Sequence, residues 1–410
     1  MRDPRVMRAI LPVLVVTFVV AVPTLAVTSA TRAAAAPGCG AVPAPTVGAS
    51  TAPVDGTPWP QVRYEPQRLA GIADGDGVVV AVLDSGVDAG AARLTGRVLP
   101  GTDELDGGDG RLDCVGHGTA VASIIGAEPG TGADAAFAGL APGALILPVR
   151  VTEREDVGDV ATGRAGTLPQ LAVAIRWAVG HGARVLNLSL VVYQDVPVLR
   201  DAIADAVRHD VVVVAAVGNG HQSGADAADA TPYPAAYPGV IGVGSIGADG
   251  QRSATSPVGP FVDIVAPGSA VPALARGGQL AAFDGSSFAA PFVSATVALI
   301  RQERPDLHAD EIMSRLFDSA DPSPDGPGSP GYGVGILNPY RAVTEDWPSN
   351  GASASLAPLR VGARPGPAGD DAEARAVALA AAGAGMTLLF LIGTMVLPRG
   401  ARRRWRPGRG

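Results

Sequence analysis

The chain has 410 residues, of which 47% are hydrophobic and 4% aromatic, and its formal net charge is −8. Ten of the arginines lie in the first 36 and last 13 positions, whereas 38 of the 39 acidic residues lie between residues 37 and 397. So large an acidic excess in the body of the chain argues against nucleic-acid binding. About 300 residues remain between the two ends, which is enough for one large hydrophobic core.

The first 36 residues have the pattern of a secretory signal peptide. Three arginines precede an apolar run over residues 10–27, and small residues follow up to residue 36. This pattern predicts cleavage and export. An uncleaved membrane anchor is the alternative, and the prolines within the run, Pro12 and Pro23, favour cleavage over it.

Residues 37–64 follow as an extension rich in Pro, Ala, Gly and Thr, which we expect to wrap around the domain. It carries Cys39, and Cys114 is the second of the two cysteines. An even pair in an oxidising compartment predicts a disulfide, which would stabilise the fold by roughly 4 kcal/mol. A catalytic thiol at Cys114 is the less favoured alternative.

A continuous apolar run over residues 78–83 predicts a strand buried on both faces of a parallel sheet. Asp84 follows at the carboxyl end of this strand, the edge at which open α/β sheets place their sites. A turn-forming aspartate is the structural alternative.

The next segment, residues 101–113, is rich in Gly and Asp. We expect a solvated loop there, because its acids lack the regular spacing of a calcium-binding EF-hand. It leads into His117, which stands between Gly116 and Gly118 at the start of a small-residue helix. Flanking glycines allow close approach of backbone and substrate. We expect no metal and no cofactor.

Strands then alternate with helices. This pattern predicts an α/β fold, a three-layer doubly wound parallel sheet of about seven strands in a single domain. The predicted strands are residues 145–151, 185–190, 211–217, 240–244 and 262–266, and the predicted helices are residues 169–182, 198–209 and 310–319. In the last helix Ile312, Leu316 and Phe317 should face the core.

Asn219 follows the strand over residues 211–217 and so lies at the same sheet edge as Asp84. An asparagine between two glycines is ordinarily a turn residue, unless an oxyanion needs a donor nearby. The other histidines, His181, His209, His221 and His308, are predicted to be surface residues.

Ser287 ends a Gly-Ser-Ser turn that runs into an apolar helix over residues 288–300. Unpaired N–H groups and the positive end of the helix dipole converge at such a start. That setting can stabilise a nucleophilic serine or an oxyanion. The alternative is that Ser287 is only a helix N-cap.

Asp84, His117 and Ser287 together have the residue types of a catalytic triad. In a triad the serine attacks, the histidine takes and returns the proton, and the carboxylate orients the imidazole. Asn219 and the backbone N–H of Ser287 would then donate to the oxyanion.

Four segments resemble the motifs of the subtilisin-like serine peptidases, the subtilases, and the resemblance covers residues 65–343. It implies catalytic roles for Asp84, His117 and Ser287, an oxyanion role for Asn219, and substrate binding at Ser189 and Leu190. Ser286 and Val191 depart from the usual Thr and Gly. The matching segments are residues 84–86, 116–119, 216–219 and 285–291.

Beyond the domain, residues 344–375 read as a flexible linker. Residues 376–397 carry no charge and precede a tail, residues 398–410, that contains six arginines. This predicts a transmembrane helix and a cytoplasmic tail, hence a single-pass type I protein of the cell membrane with its domain extracytoplasmic. A buried helix of a soluble domain would not have such flanking charge.

Within the subtilases the chain resembles the mycosins, the membrane-anchored proteases of type VII secretion systems. The residues that carry this resemblance are residues 113–119, Phe288, the extension with Cys39, and the two membrane-directed ends. It implies that the protein processes peptide or protein substrates and stabilises a secretion complex. A mainly structural subunit with weak or occluded activity is the alternative, and a general degradative peptidase is a third possibility.

Overall fold

Eleven strands are found in the residues that the computed structural model describes, which are residues 56–345 without 133–134, 158–159, 222–228 and 327. Seven of them form a parallel sheet in the order β2-β3-β1-β6-β7-β8-β9, and β4 with β5 and β10 with β11 form antiparallel pairs. The strands are β1 (Val79–Asp84), β2 (Thr102–Asp103), β3 (Leu145–Arg150), β4 (Glu155–Val157), β5 (Val160–Thr162), β6 (Val185–Leu188), β7 (Val212–Ala216), β8 (Val240–Ile246), β9 (Ile264–Pro267), β10 (Val271–Leu274) and β11 (Leu280–Phe283).

The helices cover both faces of this sheet, so the domain has three layers. They are α1 (Trp59–Tyr64), α2 (Pro66–Leu69), α3 (His117–Gly126), α4 (Leu168–Gly180), α5 (Pro197–Arg208), α6 (Ser286–Glu303), α7 (Ala309–Asp318) and α8 (Pro339–Thr344). Helices α4 and α5 pack on one face, and α3, α6 and α7 on the other.

Alternate side chains of β1 pack on opposite faces of the sheet. Val80 and Val82 belong to the cluster with α3 and α6, whereas Ala81 and Leu83 belong to the cluster with α4. A strand buried on both faces has no polar position, which explains its continuous apolar sequence. The predicted fold class is therefore confirmed, and so is the burial of Ile312 and Leu316 on α7.

The short elements were not predicted from the sequence. Helix α1 lies inside the predicted extension, where Trp59 donates from Nε1 to the carbonyl of Ser269 at 3.0 Å and Tyr64 is buried. The two antiparallel pairs were also missed, because strands of three or four residues give too short a run for a period to show.

The prediction of a solvated loop over residues 101–113 is wrong in part. This segment contains β2, which joins the sheet edge beside β3. Asp103 and Asp113 are 8% and 5% exposed. Both carboxylates are buried because each has hydrogen-bond donors that replace water.

The chain divides into two units, Met1–Glu345 and Asp346–Gly410, and all described residues belong to the first. None of the helices in this described part is both long and apolar enough to span a bilayer. The predicted signal peptide, the extension before residue 56, the linker beyond residue 345, the transmembrane helix at 376–397 and the basic tail lie outside the described residues.

Candidate active site

Asp84 is the last residue of β1 and His117 is the first residue of α3. The Nδ1 atom of His117 lies 2.8 Å from Oδ1 of Asp84. The carboxylate is 2% exposed and the imidazole side chain 25% exposed. A buried carboxylate therefore orients an imidazole that solvent and substrate can reach.

Close backbone approach explains one of the glycines beside His117. A Cβ at Gly118 would lie 2.1 Å from the carbonyl oxygen of Gly86 and 3.1 Å from the Asp84 side chain. Any larger residue would push α3 away from the end of β1. The histidine reaches the carboxylate only because its neighbour has no side chain.

A second buried carboxylate, Asp113, holds the start of α3. It accepts hydrogen bonds from the backbone N–H groups of Gly116 and Thr119 at 2.7 and 2.8 Å, and from the hydroxyl of Ser85 at 2.9 Å. Burial raises the pKa of Asp113, against the opposing effect of these hydrogen bonds. This supporting role of Asp113 was not predicted from the sequence, although the residue lies four positions before His117, where the helix start needs a support.

Helix α6 begins at Ser286, with Gly285 as its N-cap and no side-chain cap. The buried Ser286 hydroxyl donates to the carbonyl of Gly218 and accepts from the N–H of Gly218, both at 2.9 Å. The half-buried Ser287 hydroxyl donates to the carbonyl of Ser189 at 3.2 Å. Ser287 is therefore not an N-cap, and the two adjacent hydroxyls have different surroundings.

The first turn of α6 packs against the imidazole. The ring of Phe288, the residue after Ser287, has its centroid 5.0 Å from that of His117. Phe283 packs on Phe288 in turn, at 4.8 Å between centroids. This aromatic contact brings the Ser287 turn to the same edge of the sheet as Asp84 and His117.

Asn219 lies three residues beyond β7 and is exposed. Its Oδ1 atom accepts a hydrogen bond from the backbone N–H of Ser286 at 2.9 Å. A Cβ at Gly285 would lie 2.8 Å from the Asn219 Nδ2 atom. The side-chain amide is thus held against the serine turn, with its nitrogen as a donor.

Ser189 connects Ser287 to the sheet through buried polar groups. Its hydroxyl donates to the carbonyl of Ser287 at 2.7 Å and accepts from Nδ2 of Asn187 at 2.9 Å. Asn187 in turn accepts from the hydroxyl of Ser294 on α6 at 2.8 Å. A substrate-binding role was predicted for Ser189, whereas Asn187 and Ser294 were not predicted from the sequence because each lies inside an apolar run.

The segment after Ser189 lies against the loop that carries Asn219. Leu190 is half-buried and packs against the cluster on the α4 face. A Cβ at Gly218 would lie 3.2 Å from the hydroxyl of Tyr193 and 3.5 Å from Cγ2 of Val191. The segments over residues 189–193 and 218–220 therefore face each other at short range.

Cys114 is buried, and its carbonyl accepts a hydrogen bond from Arg276 at 3.1 Å. The described part of the chain has no free thiol. The other cysteine of the predicted disulfide, Cys39, lies outside the described residues. Among the residues with described positions, no group of three or more His, Cys, Asp or Glu side chains is arranged to hold a metal ion.

One prediction about the histidines is wrong. His181, His209 and His308 are exposed as predicted. His221, in contrast, is only 19% exposed, and its Nδ1 atom lies 2.8 Å from Oδ2 of the buried Asp229. This histidine is half-buried, and its carboxylate partner replaces the water that it loses.

Comparison with known proteins agrees with this fold. The chain belongs to the subtilase family, whose profile matches residues 75–336. It is therefore a subtilisin-like serine endopeptidase.

Within this family the chain is similar to the mycosins. It is 36% identical to Mycosin-4 of Mycobacterium tuberculosis over 374 residues, which cover 82% of this chain and 79% of that protein.

Two solved structures show the same likeness. One is that of the serine protease MycP1, described as an essential component of the type VII (ESX-1) secretion system, with 30% identity, a TM-score of 0.62 and coverage of 73% of this chain and 92% of that chain. The other is a chain of the periplasmic assembly from the ESX-5 inner membrane complex, with 30% identity, a TM-score of 0.62 and coverage of 74% and 89%.

Proposed function

We propose that Ser287 is the nucleophile, His117 the general base and Asp84 the orienting carboxylate of this endopeptidase. The observation that carries the proposal is the 2.8 Å contact between His117 Nδ1 and Asp84 Oδ1, beside the turn that carries Ser287. Since Nδ1 is bound to the carboxylate, Nε2 is the ring nitrogen that accepts the serine proton in this proposal.

The proposed reaction proceeds through an acyl-enzyme. Ser287 Oγ attacks the scissile carbonyl while His117 takes its proton, and the imidazolium then protonates the leaving amine. Water then attacks the acyl-enzyme carbonyl while His117 takes its proton. The histidine returns a proton to Ser287 Oγ as the second product leaves. Asp84, which is buried, stabilises the imidazolium without becoming protonated.

Asn219 supplies the side-chain donor to the oxyanion in this proposal, together with the backbone N–H of Ser287. We expect Asn219→Ala to lower kcat about 100- to 1,000-fold, because a donor aimed at the developing charge acts mainly in the transition state. Steady-state kinetics on a peptide amide measure this, and KM should change little.

The surface amide Gln251, which is exposed, provides the matched control for that prediction. Gln251→Ala should keep the wild-type kcat. A kcat for Asn219→Ala within a few-fold of wild type would contradict the oxyanion role.

For the biological role, we propose a protease of a type VII secretion system. The names of the similar proteins support this role, since they place relatives in the ESX-1 and ESX-5 systems. In this proposal residues 376–397 anchor the chain in the membrane, the domain lies outside the cytoplasm, and a disulfide from Cys39 to Cys114 ties the extension to the segment that carries His117. The absence of a free thiol in the described part supports that pairing.

The termini of the secreted proteins test this role. We expect at least one secreted protein to keep an unprocessed terminus in a strain that carries Ser287→Ala, because the strain retains the fold but not the nucleophile. Mass spectrometry of culture filtrates from the wild-type and variant strains measures it.

A deletion strain separates proteolysis from a structural role in the complex. If secretion continues in the Ser287→Ala strain and stops on deletion, the protein also supports the assembly. Identical termini in the wild-type and Ser287→Ala strains would contradict the processing role.

A further inference from the structure

The loop after β7 carries Asn219 between two glycines, Gly218 and Gly220. Glycines leave the backbone free to adopt many conformations, so something must hold the amide in place. On the amino-terminal side the hydroxyl of Ser286 does this through two bonds to Gly218. A different residue holds the carboxyl-terminal side of the loop.

His221 fixes that second side. Its backbone N–H donates to the carbonyl of Thr255 at 3.1 Å. Its ring lies against Asp229, with Nδ1 2.8 Å from Oδ2, and the Asp229 side chain is 3% exposed. Backbone and side chain of one residue are therefore both attached, two positions after Asn219.

The groups that hold His221 are themselves attached to the sheet. The same Oδ2 atom of Asp229 accepts the N–H of Val258 at 2.7 Å. In the segment that contains Val258, the buried hydroxyl of Ser256 accepts the N–H of Ser245 on β8 at 3.0 Å. The carboxyl-terminal side of the Asn219 loop is thus connected to strand β8 of the sheet.

We propose that His221, through Asp229, is a positioning residue for the endopeptidase reaction. It holds the Asn219 loop so that the amide nitrogen is in place before charge develops on the substrate carbonyl. The inference rests on the oxyanion role proposed for Asn219. His221 acts through the backbone of that loop, so its loss should affect the transition state more than the binding of substrate.

The test compares His221→Leu with His221→Asn. Leucine removes the ring donor, whereas the Asn Nδ2 atom can take the place of the His Nδ1 atom and keep the bond to Asp229. We expect His221→Leu to lower kcat ~10- to 100-fold, the scale of a small misplacement of a catalytic group. KM should stay within about two-fold, because binding in the ground state is unaffected. We expect His221→Asn to recover most of the loss.

Affinity for a peptide boronic acid is the second readout, because its tetrahedral adduct with Ser287 occupies the oxyanion position. The affinity should fall in parallel with kcat in His221→Leu. The matched controls are His209→Leu and His209→Asn, at the exposed end of α5, which should behave as wild type. A merely structural role would lower thermal stability without this parallel change.

A double variant separates this inference from the function on which it rests. In an Asn219→Ala background, His221→Leu should have almost no further effect on kcat, since the group it positions is gone. An equal loss in both backgrounds would overturn the positioning role. If Asn219→Ala alone keeps wild-type kcat, the oxyanion role itself fails.

Asp229→Asn provides an independent variant that keeps the size of the side chain and an acceptor for Val258. It removes the charge that faces the imidazole, so we expect an intermediate loss of kcat with unchanged KM. Wild-type kcat in both His221→Leu and Asp229→Asn would refute the proposal.

Discussion

Ser287→Ala should lower kcat about a million-fold, the size measured for the corresponding change in a subtilisin. The expectation follows from the two adjacent hydroxyls. The Ser286 hydroxyl is hydrogen-bonded to both the N–H and the carbonyl of Gly218. The Ser287 hydroxyl makes one longer hydrogen bond, to the carbonyl of Ser189. Only the hydroxyl of Ser287 is therefore free enough to attack a substrate.

Covalent labelling distinguishes the two serines directly. A peptide phosphonate should label the wild type and Ser286→Ala but not Ser287→Ala, with the modified peptide identified by mass spectrometry. Ser286→Ala should instead lower the free energy of unfolding by about 1–3 kcal/mol, because the polar groups of Gly218 lose a buried partner. Equal labelling of wild type and Ser287→Ala would refute the assignment of the nucleophile.

Arg150→Met should destabilise the domain by about 3–5 kcal/mol, since it removes one partner of a buried ion-pair network. The Arg150 side chain is 1% exposed and lies at the end of β3. It contacts Asp103 at 2.5 Å, Asp106 at 3.0 Å and Glu153. Methionine would leave the nearly buried Asp103 carboxylate without its cation.

Arg164 provides the matched control for this prediction. It pairs with the same Asp106 and Glu153 but is 51% exposed. Arg164→Met should therefore cost no more than about 1 kcal/mol. Urea unfolding of the three proteins at neutral pH measures both effects, and similar midpoints for the two variants would contradict the network's role.

The difference in unfolding free energy between wild type and Arg150→Met should depend on pH. Hydrogen bonds from Arg164 and, to a smaller extent, Arg150 lower the pKa of Asp106 to about 2. A carboxylate with a lowered pKa stabilises the fold above its unfolded pKa, and this stabilisation is lost as pH falls through the folded pKa. The free energy of unfolding of wild type should therefore approach that of Arg150→Met as pH falls from about 4 toward 2.

Much of the fold was predictable because the central strands are buried on both faces. A continuous apolar run such as residues 78–83 predicts a buried strand, and the polar residue that follows it, Asp84, is then easily recognised as a candidate site residue. Asp84, Asn219 and Ser287 could be found in this way, as polar groups at the ends of apolar elements. Sequence order and local motifs then gave each one a role to test.

The supporting polar groups could not be predicted, because their partners are distant along the chain. Arg150 and Asp103 are 47 residues apart, and Ser294 and Asn187 are 107 residues apart. A polar residue with no visible partner is assigned to the surface by default. His221 was misassigned for this reason, since nothing in its neighbourhood shows that Asp229 is buried.

The pairing of Ser286 with Gly218 has a mechanical consequence. Two stretches of chain that are 68 residues apart are joined by bonds in both directions at this point. A change that displaces the serine turn should therefore also displace the amide loop, because the two are coupled through these bonds.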